Sequence, residues 1–195
     1  MAQPESLFER DVPDGFRYRD DFISRAEEAA LAEEIGRLEF SNFEMRGVVA
    51  RRRVAFFGRT YDAGELASSP MPDFLMPLRA RIASWAELDA AAFAMALVNE
   101  YRPGAPIGWH RDAPQYAIVG GVSLLASCRM KFRPYASPAA VASVPRPRRS
   151  ATHEIALEPR SAYLMTGASR TAYEHHIPAV DALRYSITFR TLRAR

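Results

Sequence analysis

Short apolar segments separated by turn residues fill the second half of this chain, from about residue 93 onward, and limit its fold more than any other feature. The segments lie at 93–101, 118–132, 153–157, 162–165, 171–177 and 183–192. Their length matches β-strands rather than helices, and such a spacing is typical of an all-β sandwich or barrel. We therefore expect a β core that begins near residue 93.

Two helices are predicted before this core. Ser24 and Glu27 have the spacing of a capping box, so a helix should run from about residue 25 to 38. After Pro72, apolar residues recur at helical spacing and predict a second helix that ends near residue 88, with Pro77 in its first turn. The expected fold class is mainly β with flanking helices.

The size and composition of the chain fit one compact domain. Its 195 residues are 48% hydrophobic, enough to bury a core. Cys128 is the single cysteine, and no stretch approaches the ~18 apolar residues of a membrane span. We expect a cytoplasmic protein without signal peptide or membrane anchor. A formal net charge of +3 permits a polyanionic partner without demonstrating one.

The proline-containing stretch 134–150 carries the basic run Arg146, Arg148 and Arg149 and is interpreted as an exposed loop.

The four histidines, at positions 110, 153, 175 and 176, leave few possible metal centres. His110 and Asp112 are separated by one residue, so on an extended backbone both side chains project to the same side. Two histidines with one carboxylate leave open positions on an octahedral iron and suit oxygen activation. A His-x-Asp pattern is short and common, however, and by itself favours a hydrogen-bonded surface pair.

Two longer blocks of sequence give the pattern a context. In the first block, residues 99–112 read NEYRPGAPIGWHRD; in the second, residues 173–178 read YEHHIP and residues 184–190 read RYSITFR. In this order and register the blocks closely resemble the AlkB-like Fe(II) and 2-oxoglutarate-dependent dioxygenases. The resemblance is strong over about residues 90–192 and weaker over the two helices and residues 51–62.

The resemblance implies a fold, cofactors and site residues. It implies one AlkB-like dioxygenase domain over 1–195, with a double-stranded β-helix (jelly-roll) core at about 90–192 and N-terminal helices and a substrate lid at 1–89. The implied cofactors are Fe(II), 2-oxoglutarate as co-substrate, and O2. The implied iron ligands are His110, Asp112 and His175. The implied 2-oxoglutarate residues are Asn99, Tyr101, Arg184, Ser186 and Arg190, with Arg184 also counted as catalytic.

Strand alternation separates His175 from its neighbour His176. In an extended segment Tyr173, His175 and Ile177 share one aromatic and apolar face, whereas Glu174 and His176 share the other. The first face suits a barrel interior and the second suits solvent. Both this argument and the family register therefore favour His175 as the third iron ligand.

The strand predicted at 183–192 also alternates. Arg184, Ser186, Thr188 and Arg190 form a polar face opposite an apolar one. Periodicity alone would place the polar face in water. The resemblance instead directs this face to a cofactor cavity, where the two arginines would hold the dicarboxylate.

Candidate substrate-binding residues lie in the segment 51–61. Residues 51–61 mix arginines with aromatic residues, as nucleic acid binders do, but an ordinary strand with a solvated basic flank gives the same pattern. By resemblance to the family lid, Arg53, Phe57 and Tyr61 are the candidate substrate residues. Pro114 stands where base-demethylating members are often acidic, which puts base repair in doubt. Ser186 replaces a frequent asparagine and Tyr173 a usual tryptophan.

The resemblance implies oxidative demethylation of N-alkylated bases, with alkylated single-stranded DNA or RNA as partner and a monomeric, membrane-free protein. An oxygenase acting on a protein side chain or a small molecule is the alternative. A non-catalytic nucleic-acid-binding module is a third hypothesis, and the intact iron triad and both arginines argue against it.

Overall fold

The computed structural model describes residues 12–45, 48–59, 69–136 and 152–193. Within these residues, three α-helices, α1 (Arg25–Gly36), α2 (Met76–Trp85) and α3 (Gly167–Thr171), accompany eleven strands. The strands are β1 (Phe16–Arg19), β2 (Ser41–Met45), β3 (Val48–Gly58), β4 (Phe93–Tyr101), β5 (Ile107–His110), β6 (Tyr116–Leu124), β7 (Cys128–Pro134), β8 (His153–Leu157), β9 (Ala162–Met165), β10 (Tyr173–Ile177) and β11 (Arg184–Leu192). The predicted loop from residue 137 onward and Tyr61 lie outside the described residues.

The strands form two antiparallel sheets. The large sheet has the order β1-β9-β6-β11-β4-β3-β2, and the small sheet has the order β5-β10-β7-β8. One face of the large sheet packs on the small sheet through an apolar cluster that includes Phe16, Met165, Phe132 and Leu157. The predicted mainly β fold with a jelly-roll core is therefore confirmed.

The outer face of the large sheet is covered by α1 and α2. Leu31 and Ile35 of α1 and Leu78 and Ile82 of α2 pack on the apolar residues of this face, among them Phe189. The capping box is present, since the Ser24 side chain accepts from the Glu27 amide and the Glu27 carboxylate accepts from the Ser24 amide. The helices thus cover the outer face of the large sheet, and its inner face is left to face the small sheet. No helix among the described residues is long and apolar enough to cross a membrane.

The predicted element boundaries needed several corrections. The apolar run at 118–132 is two strands, because the chain turns at Leu125, whose φ is 72°. The run at 171–177 begins only at Tyr173, because α3, capped by Thr166 and Ser169, occupies the preceding residues. The second helix ends at Trp85 rather than near residue 88, and Pro77 lies in its first turn, where a missing N–H costs little. Strands β1, β2 and β5 were not predicted.

Gly120 of β6 allows α2 to approach the large sheet closely. A Cβ at this position would lie 2.6 Å from Ile82 Cγ2 and 3.2 Å from Leu164 Cδ2. We expect Gly120→Ala to lower the free energy of unfolding by ~1–3 kcal/mol, as overpacking typically does. The matched control is Gly36→Ala, because a Cβ there meets no heavy atom within 4 Å. Urea unfolding of both variants and the wild type checks the prediction. If Gly120→Ala were as stable as Gly36→Ala, the close packing of α2 on Gly120 would be contradicted.

Candidate active site

A cavity of about 370 Å³ lies between the two sheets. Its floor is the polar face of β11. Arg184, Ser186, Thr188 and Arg190 are all buried, with at most 8% of each residue exposed. The polar face of this strand therefore points into the molecule, and the solvent-facing alternative that periodicity favoured is wrong. A buried row of polar side chains requires partners, which makes this face a natural place for a polar ligand.

Sheet register brings the predicted 2-oxoglutarate residues side by side. β4 pairs antiparallel with β11 so that Tyr101 lies opposite Arg184 and Asn99 lies opposite Ser186. Paired residues on adjacent strands project to the same face. Asn99, Tyr101, Ser186 and Arg190 consequently line the cavity together.

Arg184 is fully buried beside this cavity, with an exposed fraction of 0%. Its Nε donates to Ser123 Oγ at 3.1 Å, and its Cζ lies 5.0 Å from the centre of the Tyr101 ring. Its Nη1 has no hydrogen-bond partner among the described residues. A buried guanidinium with an unsatisfied donor is costly unless an anion accepts from it, so this environment suits a ligand carboxylate.

His110, Asp112 and His175 also meet in this cavity. β5 pairs with β10 so that His110 lies opposite His175, with ring centroids 4.2 Å apart. His175 Nε2 lies 3.9 Å from Asp112 Oδ2. His176 projects to the other face of β10, where its Nδ1 lies 2.6 Å from the Ile107 carbonyl oxygen. The segment is extended, as predicted, and His175 is its inward histidine.

The protonation states of these three residues suit a metal. Burial, with the neighbouring His110, lowers the pKa of His175 to about 3, and burial also lowers the pKa of His110. Burial by itself would raise the pKa of Asp112, but the charge and hydrogen bond of Arg190 and the charges of His175 and His110 together outweigh burial and hold that pKa well below its usual range. Two neutral imidazoles and one carboxylate are the forms in which these residues coordinate iron.

Arg190 forms hydrogen bonds to one oxygen of the Asp112 carboxylate. Its Nη2 and Nε donate to Oδ1 at 2.8 and 3.2 Å, and its Nη1 donates to Thr188 Oγ1. With Arg190 bound to Asp112 in this way, no three His, Cys, Asp or Glu side chains among the described residues lie close enough together to hold a metal ion as they stand. The donor set and its convergence nevertheless fit Fe(II), with Oδ2 directed toward His175.

Two of the substrate candidates, Arg53 and Phe57, lie outside this cavity. Arg53 donates through Nε and Nη2 to the two oxygens of Glu100, and Phe57 is buried in the core beneath the helices. Both side chains project from the helix-covered face of β3, so neither reaches the cavity, and this part of the prediction is not supported. Arg52 and Phe56 line the cavity instead. Strand alternation could have identified them, once β3 was placed beside β4.

Arg170 is a further residue that the sequence motifs did not indicate. It is buried on α3 and donates through Nη2 to the carbonyl oxygens of Ala113 and Tyr116. These two hydrogen bonds fix the turn that directly follows Asp112. Arg170 is therefore a positioning residue for the carboxylate, although it does not line the cavity.

Comparison with known proteins gives consistent results. The model of the 2OG-Fe(II) oxygenase superfamily matches residues 16–190. An Arabidopsis thaliana protein named "Alkylated DNA repair protein ALKBH8 homolog" is 26% identical over 97% of this chain and 59% of its own length. A Danio rerio protein named "Probable RNA/DNA demethylase ALKBH6" is 28% identical over 57% of this chain and 47% of its own length. The chain thus spans only about half the length of these relatives.

Two solved structures have the same fold. OsALKBH1 matches with a TM-score of 0.62 at 13% identity, covering 92% of this chain and 99% of that one. A Pseudomonas putida prolyl-4-hydroxylase also matches with a TM-score of 0.62 at 13% identity, covering 92% and 94%. A protein named as a prolyl-4-hydroxylase thus shares the fold with OsALKBH1, and the fold alone does not select a substrate.

Proposed function

We propose that this chain, which belongs to the 2OG-Fe(II) oxygenase superfamily, removes N-linked methyl groups from bases of DNA or RNA by oxidation. The AlkB-like resemblance of its two motif blocks is confirmed by the family match and the two relatives. The observation that carries the proposal is that the buried polar face of β11 and the converging His110, Asp112 and His175 line one cavity.

In this proposal His110, Asp112 and His175 hold Fe(II). Arg184, with Tyr101 beside it, holds the distal carboxylate of 2-oxoglutarate, while Asn99, Ser186 and Arg190 serve its keto-acid end. When bound, Fe(II) with 2-oxoglutarate supplies the activation of dioxygen that hydroxylates a C–H bond. Arg184 orients the co-substrate, and the surrounding apolar cluster limits the access of water.

The substrate reaction follows from the chemistry of N-methyl groups. Insertion of one oxygen atom into a C–H bond gives an N-hydroxymethyl group, whose C–N bond breaks to release formaldehyde and return the proton to nitrogen. The cavity lies between two sheets, so a base must leave its stack to enter it, which favours a single strand as partner. The monomeric state, the cytoplasmic location and the single-domain organisation remain predictions.

Formaldehyde release tests the proposal. Single-stranded DNA and RNA carrying N1-methyladenine, N3-methylcytosine, N3-methyluracil or N6-methyladenine are incubated with Fe(II), 2-oxoglutarate and air. We expect formaldehyde and succinate in equal amounts from at least one oligonucleotide and none from the unmethylated strand. Succinate formation without formaldehyde from any strand would contradict base demethylation.

An oxygenase that acts on a protein side chain or a small molecule is the alternative. The exposed Pro114 favours it, since family resemblance places an acidic base-contacting residue there. The same incubation with unmethylated nucleic acid and peptide pools distinguishes the two, because hydroxylated peptide without formaldehyde would support the alternative.

A further inference from the structure

Arg52 of β3 places a buried positive charge inside the cavity. Only 6% of the residue is exposed, and it shares the lining with Asn99 and Tyr101 of the neighbouring strand. Its guanidinium interacts electrostatically with Tyr101, Asp112 and Arg190. Burial lowers the pKa of Arg52 from its ordinary value, yet an arginine remains protonated at neutral pH. Arg52 is thus a fixed cation near the reacting centre.

The described lining of the cavity has more positive than negative charge. Arg52, Arg111 and Arg190 line it, whereas Asp112 is the one carboxylate among the described lining residues. That carboxylate is the hydrogen-bond partner of Arg190 and a candidate iron ligand. Fe(II) and the 2-oxoglutarate dianion carry opposite charges of equal size, so binding both leaves the excess positive charge of the lining unchanged.

The methylated bases differ in charge in a way that this lining can detect. N1-methyladenine and N3-methylcytosine carry a delocalised positive charge at neutral pH. N3-methyluracil and N3-methylthymine have nearly the same shape as N3-methylcytosine but are neutral, and each presents carbonyl oxygens that accept hydrogen bonds from a guanidinium. In a cavity shielded from water, like charges repel strongly, and specificity arises from such repulsion as much as from attraction.

We propose, resting on the proposed function, that Arg52 determines specificity by selecting neutral N3-methylated pyrimidines that carry carbonyl acceptors over cationic N1-methyladenine and N3-methylcytosine. Arg52 donates to the carbonyl oxygen of the accepted base and repels the charged ring of the rejected one. This role suits a chain with Pro114, because the exposed proline supplies no negative charge to balance a cationic base.

The test uses two single-stranded oligonucleotides that are identical except for one N3-methyluracil or N3-methylcytosine. Binding is measured by fluorescence anisotropy without oxygen, with Fe(II) and 2-oxoglutarate present, and formaldehyde release is measured in air. We expect the wild-type protein to favour N3-methyluracil by at least about tenfold in both measurements. Arg52→Gln should reduce this ratio toward one, Arg52→Glu should reverse it, and Arg52→Lys should retain most of it.

Arg51→Gln is the matched control, because Arg51 is the exposed neighbour on the same strand and should leave the ratio unchanged. Equal use of both oligonucleotides by the wild type, or a ratio that Arg52→Gln does not alter, would overturn this inference and leave base demethylation standing. A raised 2-oxoglutarate requirement in Arg52→Gln with an unchanged ratio would also overturn it. Failure of every methylated strand would overturn the proposed function, and this inference with it.

Discussion

The His175→Ala variant is expected to lose bound Fe(II) and 2-oxoglutarate turnover together, whereas His176→Ala should keep most of both. His175 is buried beside His110 and Asp112, so its removal takes one of three ligands from the proposed iron site. The loss should exceed the ~10–100-fold that removal of an outer-shell partner typically costs. Metal content after anaerobic loading and succinate formation measure the two effects separately.

His176→Ala is a close control, because it also removes an imidazole side chain, from the next residue along the chain. His176 lies half-buried on the other face of β10, near Trp109 and the Ile107 carbonyl oxygen. Its removal should cost on the order of 1 kcal/mol of stability through that hydrogen bond, with little effect on iron. Loss of iron in His176→Ala and its retention in His175→Ala would reverse the assignment of the third ligand.

The second large effect is expected at Arg184. Arg184→Met should raise the 2-oxoglutarate concentration needed for half-maximal turnover on the order of 30-fold or more, since removing one partner of a buried charge pair costs ~2–5 kcal/mol. Methionine retains much of the side-chain length and leaves no unsatisfied donor in the position of Nη1. Turnover across a range of 2-oxoglutarate concentrations measures this effect.

Thermal unfolding distinguishes a ligand-binding role of Arg184 from a structural one. Without 2-oxoglutarate, Arg184→Met should be as stable as the wild type or more stable, because a buried charge replaced by an apolar side chain is often neutral or stabilising. With 2-oxoglutarate, only the wild type should gain stability. The exposed Arg37→Gln variant is the control and should behave as the wild type. An unchanged 2-oxoglutarate response in Arg184→Met would exclude Arg184 from the co-substrate site.

Local sequence predicted the parts of the fold that depend on local interactions. The start of α1 follows from the Ser24 and Glu27 capping box, and β4 follows from a continuous apolar run. The short strand β5 was missed, because residues 107–110 become a strand only through pairing with β10. α3 was missed, and only its last residue, Thr171, was assigned to a strand, because the cap at Thr166 and Ser169 carries little signal in a five-residue helix.

The sequence by itself determined the family and the candidate site residues. His110, Asp112, His175 and Arg184 lie in two motif blocks that can be recognised without knowing how the rest of the chain folds. For β3 and β11, the tertiary structure decided which face of the strand is inside. Periodicity separates two faces but does not say which is buried, and so the polar face of β11 could have faced water. The same ambiguity affects β3, where Arg53 and Phe57 were named as candidates whereas Arg52 and Phe56 line the cavity. Only the pairing of β3 with β4, between helices on one side and the small sheet on the other, resolves it.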